Sequence, residues 1–249
     1  MNMSYHGRKM LPAVKGEHMG NIAIIPARSG SKGLKDKNIR LLKGKPLLVY
    51  TLEAACESGL FDCVHVSTDS SEYAEIARKH GADVPFLRDD IYAGDTADTW
   101  DAARFVMEEY KKRGQNFETV ALLQPTSPLR DAGDIKKAYK IFESSQADSV
   151  ISVCPAEHAP RLINHLGEHN SLNGFFDFTT DVRRQAMGDY YRINGAVYIQ
   201  KTSLLMQKGN LYGEKSFAYV MEKSHSIDID DAYDFCMAEA VMGHDFTFS

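Results

Sequence analysis

Short runs of β-branched and apolar residues recur along this chain with helical patterns between them, and that alternation limits the fold more than any other feature. Residues 22–25, 63–67, 119–123, 149–153 and 196–199 read as strands. Between them, Leu47, Leu48, Thr51, Leu52 and Ala55 repeat at helical spacing after Pro46 and stop at Gly59. Tyr73, Ile76 and Ala77 mark the inner face of a helix capped by Asp69 or Ser70, with Gly81 just past its end. Further helices are predicted over 99–112, 134–144 and 231–241. Strands that are apolar throughout have both faces covered, so the pattern implies an α/β fold with a mostly parallel sheet flanked by helices.

At 249 residues, 43% hydrophobic and 25% charged, the chain can bury a core of its own. A net charge of −5 argues against nucleic acid or an acidic membrane as the main partner. Cys56, Cys63, Cys154 and Cys236 have neither C-x-x-C nor zinc spacing, so neither a disulfide nor a zinc site is predicted. Residues 1–20 read as a disordered extension or an expression remnant, with folding from Asn21. With no apolar run of membrane-span length, a cytoplasmic location is expected.

The strand at 22–25 breaks at Pro26 into a loop carrying Arg28, Gly30, Lys32, Gly33, Lys35, Lys37 and Asn38. Two glycines let backbone N–H groups turn toward an anion, and the cations supply charge. The spacing matches neither G-x-x-x-x-G-K-[ST] nor G-x-G-x-x-G, so the side chains must carry more of a phosphate grip. A solvated basic loop is the alternative on residue type alone.

Four further stretches carry polar groups suited to a site. Arg88 and Thr99 flank a polar linker in which Asp95 and Thr96 suit helix capping. Gln124-Pro-Thr-Ser-Pro-Leu-Arg130 follows a buried strand at the sheet edge where α/β proteins bind ligands, although a stiff connector also explains its prolines. Arg192-Ile-Asn-Gly-Ala-Val-Tyr198 reads as a turn at Asn194-Gly195 and then a strand. In Ser226-Ile-Asp-Ile-Asp-Asp231, alternation places Asp228 and Asp230 on one side, a pair suited to Mg²⁺, with helix capping by Asp230 or Asp231 as the rival explanation. His65, His158, His165 and His225 show no triad-like spacing and are read as structural.

The loop at 21–38 with Lys45-Pro-Leu-Leu48, the Gln124–Arg130 heptapeptide and the Arg192–Tyr198 segment together resemble the signatures of the CMP-sialic acid synthetases (acylneuraminate cytidylyltransferases). The resemblance implies a Rossmann-like nucleotidyltransferase fold over 21–249, with a small dimerisation lobe inserted at 155–192. It implies transfer of CMP from CTP to the anomeric hydroxyl of an acidic nine-carbon sugar, with release of pyrophosphate. By position, Arg28, Lys37 and Asn38 would contact the phosphates and base of CTP, with Arg88 and Thr99 also at the nucleotide; Lys32, from the cationic loop, is a further substrate-binding candidate. Gln124, Arg130, Arg192 and Tyr198 would serve substrate binding, and Asp228 and Asp230 would hold Mg²⁺. Arg184 or Arg183, with Arg184 aligning better, would reach the site of a twin subunit in a homodimer.

Two rivals stay open at the level of sequence. A Kdo cytidylyltransferase makes the same bond with an eight-carbon acid, although that family's opening motif differs from Lys32-Gly-Leu-Lys-Asp-Lys-Asn38. A nucleotide-sugar glycosyltransferase also uses Asp-x-Asp, but usually mid-chain. Arg161-Leu162 departs from a lysine common in the sialic acid enzymes, leaving legionaminic and pseudaminic acids beside N-acetylneuraminate.

Overall fold

The computed structural model describes residues 20–30, 33–94, 98–175 and 189–244. Its elements are β1 (Gly20–Pro26), β2 (Leu41–Leu42), β3 (Lys45–Pro46), α1 (Leu47–Ser58), β4 (Cys63–Ser67), α2 (Ser71–Lys79), α3 (Thr99–Lys112), β5 (Phe117–Leu122), α4 (Ala132–Ser144), β6 (Ser149–Pro155), β7 (Tyr191–Lys201), α5 (Thr202–Met206), β8 (Ser216–Val220) and α6 (Ala232–Val241). Six strands form one sheet in the order β4-β1-β5-β7-β6-β8. Only β7 runs against its neighbours; β1 is parallel to β4 and β5, and β6 to β8.

Side-chain alternation along β1 divides the core. Ala23 and Ile25 pack with residues of α1, α2 and α4, whereas Ile22 and Ile24 pack with α3 and with Leu205 of α5. Both faces of β1 are therefore covered, as its uninterrupted apolar run implies. Helix α1 ends where Gly59 takes φ 67, a left-handed cap that glycine adopts without a Cβ clash.

Two local expectations are revised, and one choice left open is decided. The cap of α2 is Ser70, whose hydroxyl accepts from the Tyr73 amide at 3.3 Å, and Asp69 is used elsewhere. The cap of α3 is Asp98, accepting from the Trp100 amide at 2.9 Å; Asp95 and Thr96 lie outside the described residues. Asn194-Gly195 is not a turn. It is a bulge within β7, where Ile151 pairs with Tyr198 but Val153 pairs with Ile193. Asn194 staples the bulge, accepting from Ser152 Oγ at 2.6 Å and donating to Ser226 Oγ at 2.9 Å, so tertiary hydrogen bonds override the local turn preference.

His65 stacks on Phe86 with ring centroids 5.0 Å apart, and its Nδ1 lies 3.1 Å from the Tyr110 hydroxyl. Burial, with the Arg88 cation adding to it, holds the imidazole neutral by lowering its pKa from 6.5 to about 3. The unfolded chain then takes up a proton that the folded one refuses. Stability is full above pH 6.5 and is lost as pH falls toward 3. At about pH 4.5 the expected loss is roughly 2–3 kcal/mol. His65→Phe should flatten that limb of the stability profile, measured by urea unfolding at stepped pH, and an unchanged limb would assign acid sensitivity to other groups.

Candidate active site

Strands β1 and β5 end side by side, and a cavity of about 560 Å³ opens at their carboxyl ends. Arg28, Lys37, Asn38 and Gly33 enter it from the loop after β1, and Gln124, Pro125 and Thr126 from the segment after β5. Arg88, Tyr92 and Thr99 line a further side, and Asp228 and Asp230 complete it from the segment before α6. Three cationic side chains and two carboxylates therefore share one space.

The cationic loop is held from several directions. Asn38, 5% exposed, donates Nδ2 to the Arg28 carbonyl at 3.0 Å, which folds the loop back on itself. Ser29 donates its amide to Asp69 Oδ1 at 2.7 Å and its hydroxyl to Asp69 Oδ2 at 2.5 Å. Arg88 donates Nη2 to the Ser67 carbonyl at 2.7 Å and Nε to Ser67 Oγ at 3.1 Å. Burial brings the Arg88 guanidinium down to about 10; Asp69 opposes that fall and the neighbouring Arg28 adds to it. Two arginines forced together in this way favour an anion between or beside them.

The acidic segment is tied to the other two walls. The Ile229 amide donates to the Thr126 carbonyl at 2.8 Å, and the Ile229 side chain is buried against Leu42, Leu47 and Ala238. With Ile229 inward, Asp228 and Asp230 are left to the cavity. Asp231 caps α6 in a reciprocal capping box with Asp234, so capping does not claim the other two. Lys37 Nζ donates to the Ile229 carbonyl at 2.5 Å and to Asp230 Oδ1 at 3.2 Å, bridging the loop to this segment.

Asp228 and Asp230 differ in surroundings. The Asp230 side chain is 81% exposed, whereas Asp228 Oδ1 is buried without a hydrogen-bond partner among the described residues. Burial lifts the Asp228 carboxyl above the ordinary aspartate value; Asp230 adds to the rise, while the Thr126 hydroxyl, Lys37 and Arg192 oppose it. An orphaned hard oxygen beside a second carboxylate fits a divalent cation. Asp131, Asp134 and His225 also lie within metal-binding distance of one another, but Asp131 and Asp134 are engaged in capping α4, and Asp134 also accepts from Tyr219 at 2.8 Å.

Two glycines make room for the acids. A Cβ on Gly33 would collide with the Asp230 carbonyl oxygen, so the loop and the acidic segment approach more closely than any side chain permits. Gly195, at φ 75 in the β7 bulge, would collide with Gln124 Oε1 and come within 3.2 Å of Asp228 Oδ2. Gly195 was read from sequence only as a turn residue, and no local signal pointed to a role beside Asp228. Tyr92 was likewise missed, because a single aromatic in a polar linker carries no pattern. Thr126 could have been inferred from its place inside the heptapeptide.

Arg28, Lys37, Asn38, Arg88, Thr99, Gln124, Asp228 and Asp230 are thus brought together. Arg130, Arg192 and Tyr198 do not line the cavity formed by the described residues. Arg130, 1% exposed, lies beneath it and donates Nη2 to Thr51 Oγ1 at 2.7 Å and to the Gln124 carbonyl at 3.1 Å. Arg192 donates to the Ser226 carbonyl at 3.3 Å and pairs with Glu157, and Tyr198 packs edge-on against Trp100. Lys32, Arg183 and Arg184 lie outside the described residues.

A sequence model of the family described as cytidylyltransferase matches residues 22–240. The chain belongs to that family. This cytidylyltransferase-family chain is 40% identical over 219 residues to the N-acylneuraminate cytidylyltransferase of Escherichia coli O18:K1:H7, covering 87% of the chain and 51% of that protein. The chain therefore spans about half the length of that relative. It is 35% identical over 225 residues to the CMP-N,N'-diacetyllegionaminic acid synthase of Legionella pneumophila, covering 89% of the chain and 95% of that protein. Among solved structures, a CMP:2-keto-3-deoxy-manno-octonic acid synthetase complexed with CTP superposes with a TM-score of 0.68 at 14% identity, covering 90% of this chain and 98% of that one. At that identity the likeness supports the nucleotidyltransferase fold alone. In this cytidylyltransferase-family chain no helix among the described residues is long and apolar enough to cross a membrane.

Proposed function

We propose that the protein transfers CMP from CTP to the anomeric hydroxyl of an acidic nine-carbon sugar. The observation that carries this reading is the meeting of Arg28, Lys37 and Arg88 with Asp228 and Asp230 in one cavity at the sheet's carboxyl edge. A triphosphate needs cations along its length and a divalent metal at the reacting phosphorus, and the two walls offer both donor sets. In the reaction the sugar hydroxyl oxygen bonds to the α-phosphorus as the bond to the bridging oxygen breaks. The hydroxyl proton leaves, and pyrophosphate departs with the electron pair.

Arg28, Arg88 and Lys37 would neutralise the phosphates and favour departure of the pyrophosphate, while Asn38 holds the loop that carries Arg28. Mg²⁺ on Asp228 and Asp230 would supply charge neutralisation at the α-phosphate. Gln124, beside Asp228, would orient the sugar. The relatives' printed names favour a nonulosonic acid over an eight-carbon one, and the family match argues against a glycosyltransferase. Pyrophosphate release measured over sialic, legionaminic, pseudaminic and Kdo acids with CTP and the other nucleoside triphosphates tests the reading. Release with none of the acids, or with UTP rather than CTP, would overturn it.

Lys37→Ala should weaken CTP binding by about 10- to 100-fold, the range of one charge-assisted hydrogen bond, and change the KM for sugar far less. Calorimetric titration decides; unchanged CTP affinity would leave Lys37 as a tie between the loop and Asp230. A homodimer, with the lobe at 155–192 packed against its twin and Arg184 lent to the neighbouring site, completes the proposal. Its described part exposes Ile163, Leu166 and Leu172, as an interface would require. A monomeric mass by sedimentation would dispose of it. A cytoplasmic location accords with the expected nucleotide substrate.

A further inference from the structure

Strands β1 and β4 run in parallel to a common end, with Pro26 opposite Ser67 and the Ala27 amide donating to the Ser67 carbonyl at 2.9 Å. Beyond that point the sheet no longer restrains either chain, yet the residue that follows, Arg28, must present its guanidinium to the cavity. Asp69 closes the gap. Its two carboxylate oxygens take both donors of Ser29, the amide at 2.7 Å and the hydroxyl at 2.5 Å. One residue held at two donors by one carboxylate has little torsional freedom left, and Ser29 sits between Arg28 and Gly30, where the backbone turns at φ 70.

We infer that Asp69 is a positioning residue for the triphosphate grip, setting the place of Arg28 and the start of its loop through Ser29. The inference rests on the reading of CTP as substrate. Asp69 does not line the cavity, so it acts through its neighbours. Capping does not require it, since Ser70 caps α2. Its field also falls on Arg88, offsetting the repulsion between Arg88 and Arg28 that the cavity imposes. Although burial works against ionisation, the two bonds from Ser29 leave the carboxyl below its ordinary value, so the acceptor is charged where the enzyme would work. A carboxylate at this position thus both steers one phosphate-facing arginine and tempers its conflict with another.

The test uses the full chain and two ligands, CTP with Mg²⁺ and cytidine. In Asp69→Ala, CTP affinity should fall about 10-fold or more, as expected when charge-assisted bonds that organise a site are lost. Cytidine affinity and the KM for sugar should stay within about twofold, since neither depends on the phosphate-facing loop. Ser29→Ala keeps the amide bond and should fall between parent and Asp69→Ala. Combined with Asp69→Ala it should add almost nothing, because both changes break the same link. Asp69→Asn, which keeps the shape and one acceptor, serves if the alanine variant does not fold. Equal losses for cytidine and CTP, or unchanged CTP affinity in Asp69→Asn and Ser29→Ala together, would overturn the role. A parent that binds no CTP would overturn the functional reading, and this role with it, whereas a parent that binds CTP while the variants match it defeats the role alone.

Discussion

Asp228→Ala is expected to lower turnover by about 10³-fold, the scale on which loss of a preorganised electrostatic group acts at a reacting centre. The reason lies in the contrast between the two acids. Asp228 is desolvated with one oxygen unpartnered among the described residues, a cost that the Thr126 hydroxyl, Lys37 and Arg192 offset only in part, whereas Asp230 is exposed and already paired with Lys37. Asp228→Asn keeps the shape and removes the buried charge. That variant should melt no lower than the parent while losing comparable turnover, a separation of activity from stability that a structural role would not give. Turnover by pyrophosphate release, thermal unfolding, and Mg²⁺ binding by calorimetry form the measurement. Activity within tenfold of the parent, or Mg²⁺ affinity unchanged in Asp228→Asn, would remove this residue from the proposed metal site.

Arg130→Met should destabilise the fold by about 3 kcal/mol, since buried acceptors lose their donor while the side-chain stem is replaced at similar volume. For a chain of this size that corresponds to a fall in Tm of roughly 6–12 °C. Arg130 serves Thr51 Oγ1 and the Gln124 and Ala196 carbonyls at once, tying α1 and β7 to the segment after β5. Burial lowers its guanidinium to about 10, with Asp134 and Asp131 opposing, so the charge itself is costly; the donors it supplies to three elements offset that cost. CTP affinity of the folded fraction should stay close to that of the parent. A variant that melts like the parent yet binds CTP tenfold more weakly would return Arg130 to the site as a direct ligand.

These two arginine and aspartate cases mark where reading the chain in one dimension stops. Strand and helix existence was legible, because apolar runs, helical spacing and glycine stops are local, and β4 and α3 fall at the predicted residues 63–67 and 99–112. The gathering of Arg28, Lys37, Arg88, Gln124, Asp228 and Asp230 was legible too, through their resemblance to family motifs and through the general placement of ligands at strand carboxyl ends. Depth was not. Arg130 looks as accessible as Arg88 in the sequence, yet one lies under the cavity and the other on its wall.

What the amino-acid sequence by itself determined is the order of elements, the two-sided burial of the sheet, the cationic loop after β1 and the facing of the alternating acids, because each follows from backbone periodicity and residue type. What only the tertiary structure decided is which polar groups are consumed by the fold and which are left for ligands. Asp69 was one of two candidate caps by residue type and became the anchor of Ser29 while Ser70 took the cap; Asn194-Gly195 was a turn by propensity and became a bulge beside Asp228; Asp231 took the cap that Asp230 was equally suited to make. In the two cap cases residues of equivalent chemistry compete for one hydrogen bond, and in all three the outcome is set by contacts between segments far apart in the chain, which carry no signature in local sequence.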